Sequence, residues 1–438
     1  MDIAAFAALA RFGFGRRPAD PLPSDPHGWL RMQLLGGDPY QAGDLPDCAA
    51  ALSVVRDQLD MRKPAGPDQP PAAAMGHPVG ELAKREVHAL LANALTTEAP
   101  FRERLVWFWA NHFTVSARGL VPAACAGAYV REAIRPHVTG RFADMLLAVM
   151  RHPAMLAYLN NERSAGPGSR AGIAHNIGLN ENLARESLEL HSVSPASGYT
   201  QADVTNYAKI LTGWSIEAKR APLGFVFRPN LHEPGEIEVM GRTWPAGEQG
   251  GMAILEFLGT HPATYRHIAE KLVRHFVADE PHPDQVRRIA LVLRDTQGDL
   301  AAASLAITEV PQAWIPGSKL RTPQEFVVGC LRAIGATPEM VPNLGGLVGG
   351  LGQGMFQAPF PIGWPDRAAD WAGPEAMLQR VDFAYVIAGR AGNLDPVTLA
   401  QATLGPILTA DTLGQITSAG SRRDALTMLL ASPEFQRR

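Results

Sequence analysis

Apolar residues recur every three or four positions along most of the chain. The pattern is clear in "ELAKREVHALLANAL", "FRERLVWFWANHF", "FADMLLAVM", "QADVTNYAKILTGW", "HPATYRHIAEKLVRHFV" and "PDQVRRIALVLRD", and such spacing places the apolar side chains on one face of an α-helix. It continues in "DLAAASLAITEVPQAW", "TPQEFVVGCLRAIG" and "RRDALTMLLASPEF". Helix starts are marked by threonine near proline, as in "RTPQEF" and "THPAT", since the hydroxyl can cap and proline suits the first turn. Strand signals are few. The best is "GFVFRPNLHEPGEIEVMGRTW", where two short runs flank "PNLHEPGE" and predict one small β-hairpin inserted near 225–245. The stretches 62–80 and 162–172 are rich in turn formers and have little to bury, so both are expected as surface loops. Neither is flanked by a change in composition. The expected fold is therefore an all-α, multi-helix globular domain spanning residues 1–438.

Hydrophobic residues make up 46% of the chain and charged residues 19%, enough for a filled core and incompatible with global disorder. The formal charge of −3 and the lack of a long basic run argue against a nucleic-acid partner. No apolar run approaches the ~18 residues of a membrane-spanning helix. At the N-terminus Asp2 stands where a secretion signal wants positive charge, and Arg16–Arg17 follow the apolar stretch instead of preceding it, so the expected location is cytoplasmic. Cys48, Cys125 and Cys330 are widely spaced. They read as free, buried thiols and suggest neither a disulfide framework nor a cysteine zinc site.

The most polar helical segment is "NENLARESLELHSV", 180–193. Projected at about 100° per residue, Asn182, Arg185, Glu186 and Glu189 share one face, while Ala184, Ser187, Leu188 and His191 fall on the opposite one. His191 can join the carboxylates only if the helix ends near Leu190. As a site, Glu186 or Glu189 would be a base or metal ligand, with Arg185 fixing an anion; otherwise the segment is a solvated face with one core histidine. In "WFWANHF", His112 is expected against aromatic rings, with Trp107 and Asn111 offering a polar–aromatic pocket wall. His232 in "LHEPGE" sits on a loop beside Glu233, a good position for a ligand or an acid–base group. His267, Lys271 and His275, four residues apart with Glu270 alongside, read as a solvated, ion-paired basic stripe. Metalloprotease, nucleophile-elbow and phosphate-loop signatures are absent, and "GGLVGGLGQG" follows no credible strand.

In order along the chain, "RFGFGRRPAD", "WFWANHF", "HPAMLAYLNN", "NENLARESLELHSV", "GYTQADVTNYAKILTGW", "FVFRPNLHEPG", "HPATYRHIAEKLVRHFV", "TPQEFVVGCLRAIG", "GWPD" and "SPEFQRR" resemble the bacterial family catalogued as domain of unknown function 1800. The resemblance covers nearly the whole chain. It implies a mainly helical fold, no established activity, and a sulfatase-like protein of a second uncharacterised family as a partner encoded nearby. Asn180, Glu181, Asn182, Arg185, Glu186, Glu189 and His191 match the family's most recognisable stretch. The chain departs from the family after the loop histidine, where His232–Glu233–Pro234–Gly235–Glu236–Ile237 lacks the usual lysine. Two functions are expected in competition. One is a metal-dependent enzyme in which His112, Glu186, His191 and His232 gather around a divalent ion, zinc or iron suiting that set, with Arg185, Glu186 and Glu189 in catalysis. The other is a non-catalytic partner or maturation protein for the sulfatase-like neighbour, exported with it or retained in the cytoplasm.

Overall fold

The computed structural model describes residues 2–61, 77–175 and 177–438. Twenty-three α-helices lie among them, with only two short antiparallel hairpins, so the fold is all-α. The helix starts follow the sequence signals. Thr322 caps Pro323–Ala333 and Thr200 caps Gln201–Leu211, each in a reciprocal capping box with the acid three residues on, which satisfies backbone N–H groups that have no partner within the helix. His152, His261 and His282, each followed by proline, cap their helices through the ring nitrogen.

Pro262–Phe276 packs on Pro283–Asp295, Pro78–Thr96 on Leu120–Tyr129, and Pro374–Arg390 on Arg422–Ala431. Aromatic rings join the first of these pairs to the N-terminal segment: Phe101 stands edge-on to both Phe12 (5.4 Å) and Phe276 (5.7 Å). Buried guanidinium groups finish the helix ends. Arg11 donates to the carbonyls of Phe276, Val277, Ala313 and Arg438, and Arg332 to those of Gly15, Ala94 and Leu95. The last carbonyls of a helix have no intrahelical donor, and a planar five-donor group can serve several at once. No helix among the described residues is long and apolar enough to cross a membrane.

The single hairpin expected near 225–245 is two hairpins. Strand β1 (Trp214–Glu217) pairs with β2 (Gly224–Phe227), and β3 (Ile237–Val239) with β4 (Arg242–Trp244). Met240 and Gly241 both have positive φ, 52° and 71°, the geometry of a two-residue hairpin turn, so the second run folds back on itself. The first run pairs backwards instead, with a strand that the helical periodicity had absorbed into "ILTGW". Of the two expected loops, 62–76 lies outside the described residues, and 78–80 already belong to a helix. The stretch 162–172 buries Ser164, Ala165, Gly166, Ser169 and Gly172, because the Glu233 loop closes over it through a Gly168 N–H bond of 2.7 Å.

Candidate functional site

Two helices carry polar stripes with a four-residue step: Arg104, Phe108 and His112 on Pro100–His112, and His267, Lys271 and His275 on Pro262–Phe276. They face each other in opposite directions. Arg104 meets the His275 ring nitrogen Nε2 at 2.9 Å, and Lys271 Nζ meets His112 Nδ1 at 3.1 Å. The stripe read as solvated is therefore an internal surface.

These stripes border a cavity of about 310 Å³. Phe14, Trp107, Phe108 and Trp364 give it aromatic walls. Glu325, from the capping box of Pro323–Ala333, contributes a carboxylate, and the "GWPD" loop closes one side. That loop is fastened through Asn111, whose side-chain amide accepts from Trp364 N–H (2.8 Å) and donates to Trp364 C=O (2.9 Å). Asp366 then accepts from His275 Nδ1 at 2.8 Å, and Lys319 donates to the Asp366 carbonyl at 2.7 Å. A second cavity, about 540 Å³, is lined largely by small and apolar residues, and its Glu86 is already paired with Arg131.

The charges in the first cavity are mostly spoken for. Glu325 is shared between Arg104 (2.6 Å) and Arg438 (3.0 Å). Burial would raise its pKa, but the two guanidinium groups pull it down to about 2. Burial likewise opposes the charge on Asp366, yet His275, Lys319 and Arg438 hold it well below the usual carboxylate range. His275 is kept neutral by burial despite Asp366. It donates from Nδ1 and accepts from Arg104 at Nε2, so neither ring nitrogen is open.

Lys271 differs. Its amine sits among three imidazoles, those of His112, His191 and His267, and bonds the first. Burial, then repulsion from Arg274, lowers its pKa to about 8, with Asp366 and Glu270 only partly offsetting them. Burial and Lys271 in turn depress His112 well below its ordinary value, His191 to about 3 and His267 to about 4. The result is an ammonium surrounded by neutral rings, close to releasing its proton at neutral pH. Two buried donors in the cavity lining, Trp107 Nε1 and Arg274 Nε, have no protein partner, whereas no acceptor there is left so. With Glu325 and Asp366 already paired, the ammonium of Lys271 is the charge left to meet an anionic or acceptor-rich ligand.

The matching family model is described as "Protein of unknown function (DUF1800)" and spans residues 7–437. The chain belongs to the DUF1800 family. No curated protein matches it, and no solved structure does. Of the candidate ligands and catalytic residues in this family member's sequence only His112 lines the cavity, beside Trp107 and Asn111, the residues expected to form a pocket wall. The other ring nitrogen of His112 contacts the His191 carbonyl at 3.2 Å. His191 is fully buried, as the projection required, with its ring 5.9 Å from that of His112 and neither nitrogen bonded to protein. The helix does end there: Asn182–Glu186 passes into a wider π-turn, Ser187–His191, and the chain leaves the helix at Ser192. Arg185 pairs with Glu181 at 2.8 Å and Gln201 at 3.2 Å on the outside. Glu186 is half-buried, and burial, then Glu189, raises its pKa.

His232 is fixed elsewhere. Its Nδ1 meets the Thr212 carbonyl (2.8 Å), and its Nε2 accepts from Gly247 N–H (2.7 Å). The four expected metal ligands therefore do not converge. Among the described residues, the one set of three ligand-type side chains within 4.8 Å of each other is Cys48, Glu132 and His152. Sequence reasoning missed Arg104, Glu325 and Asp366.

Proposed function

We propose that the chain is an enzyme acting on a small anionic molecule with an apolar or aromatic body, bound in the Arg104–Lys271–Asp366 cavity. Lys271 is its reactive amine. The observation that carries this reading is that Lys271, with a pKa near 8, has a histidine and no carboxylate within hydrogen-bond reach. A desolvated lysine beside another cation is primed as a base or as a nucleophile toward carbonyl carbon. The positive charge of Lys271 and the nearby Arg274 would attract the ligand's anionic end, and the aromatic walls would cover its body. The closed Arg104–His275–Asp366 chain holds these groups in place and exchanges no proton itself. This keeps the enzyme expectation but moves it away from "NENLARESLELHSV" and requires no metal among His112, Glu186, His191 and His232.

The test is a thermal-shift panel at pH 7 of small aromatic and aliphatic carboxylates and phosphates, each beside its neutral amide or ester. At least one anion should raise Tm while its neutral counterpart does not, and Lys271→Met should abolish the shift. Equal response to the neutral members, or an undiminished shift in Lys271→Met, would refute it.

A further inference from the structure

A second group of chemistry-bearing side chains lies apart from the cavity. Cys48 begins the helix Cys48–Met61, Cys125 lies within Leu120–Tyr129, Glu132 stands in the turn that follows, and His152 caps Pro153–Tyr158. The Cys48 sulfur, a Glu132 carboxylate oxygen and a His152 ring nitrogen are all within 4.8 Å of one another. The Cys48 thiol lies beside the Cys125 thiol and the His152 ring. Glu132 holds the group together: one oxygen accepts from Cys48 N–H at 2.7 Å, and the other lies 3.3 Å from His152 Nε2.

We propose that Cys48, Glu132 and His152 form a three-ligand zinc site, completed by a water, that clamps the Cys48–Met61 helix to the helical core. Zinc bonds of about 2.0–2.3 Å in a tetrahedron separate neighbouring ligand atoms by roughly 3.3–3.8 Å. The Glu132–His152 distance already matches that edge. A thiol with an imidazole and a carboxylate favours zinc over magnesium or calcium, which take oxygen ligands. His152 is 6% exposed and Glu132 38%, so the carboxylate offers an entry path while the other ligands are packed. On binding, the Cys48 thiol gives its proton to solvent and forms a sulfur–zinc bond. The histidine proton moves from Nε2 to Nδ1, and the ring gives up its 3.1 Å contact with Ala154 N–H, a single weak cap exchanged for a metal bond. The site is independent of Lys271 and of any ligand in the cavity. Sequence spacing could not show it, because its members come from positions 48 to 152 with no CxxC or HxxxH step.

The full-length chain, purified without an affinity tag, would be loaded with Zn(II) or Co(II) alone. The expected result is one tightly held metal per chain and, with cobalt, a thiolate-to-metal charge-transfer absorption. Cys48→Ser should lose both, whereas Cys330→Ser, which alters a buried thiol elsewhere, should keep both. Glu132→Gln still accepts from Cys48 N–H, so it should fold normally and weaken zinc binding by about tenfold or more. No thiolate absorption in the folded wild-type chain would overturn the proposal, as would its persistence in Cys48→Ser. If Cys48→Ser does not fold, unchanged zinc affinity in Glu132→Gln overturns it.

Discussion

His191 shows how far a single position can be read. The helical projection placed it on the apolar face, and it is indeed fully buried. What periodicity could not supply was its surroundings, since His112, His267 and Lys271 arrive from segments about eighty residues away on either side. Burial first, then Lys271 and His267, lower its pKa from 6.5 to about 3. In the unfolded chain it takes up a proton near pH 6.5, while in the folded chain it resists until about pH 3. The unfolded state therefore binds more protons across that window, and stability falls as pH drops through it. His191→Leu should be neutral or stabilising at pH 7, because it removes a buried ring with no protein hydrogen bond. It should also flatten the acid limb, by up to about 1.4 kcal/mol per pH unit. Denaturant midpoints measured between pH 7 and pH 4 check this; a large loss at pH 7 or an unchanged slope would contradict it.

At the scale of elements, helices were legible because their apolar spacing and their Thr–Pro starts agree. The hairpins were half legible. Short apolar runs signal strands, but a two-residue turn such as Met240–Gly241 decides the pairing, and its positive φ is obvious only for glycine. The "GWPD" motif gave no sign of its role, because carrying Asp366 to His275 depends on Asn111 from a distant helix. Gly363 makes that fastening possible: its φ is +83°, and a Cβ there would collide with the Asn111 carbonyl and come within 2.7 Å of its Oδ1. Gly363→Ala should cost about 1–3 kcal/mol and displace the loop. Comparing its Tm with wild type, and titrating the His275 ring by NMR, should show lower stability and a histidine released from Asp366. A wild-type histidine titration in this variant would mean that the loop does not depend on the fastening.

Across the whole molecule, composition and periodicity sufficed for the fold class, and the family resemblance was carried by motif order. The site was not legible at that level, because it forms where 104–112, 267–275, 322–325 and 362–370 meet. Buried arginines organise this meeting. Arg11 serves carbonyls from three separate regions, at Phe276 and Val277, at Ala313 and at Arg438. Arg11→Met keeps the bulk but strands those acceptors, so stability should fall by at least about 3 kcal/mol. Chemical denaturation would measure it, and a change below about 1 kcal/mol would show that the carbonyls find other partners.

The central claim concerns Lys271, a lysine that the sequence presented as one member of a solvated stripe. It is tested most directly by labelling the native protein with trace acetic anhydride from pH 6 to pH 11 and quantifying acetylation at Lys271 by mass spectrometry. An exposed lysine titrates near 10.5, whereas burial and Arg274 bring Lys271 to about 8. Half-maximal reactivity is expected near pH 8, roughly two units below that of an ordinary exposed lysine. A Lys271 midpoint near pH 10.5 would contradict it.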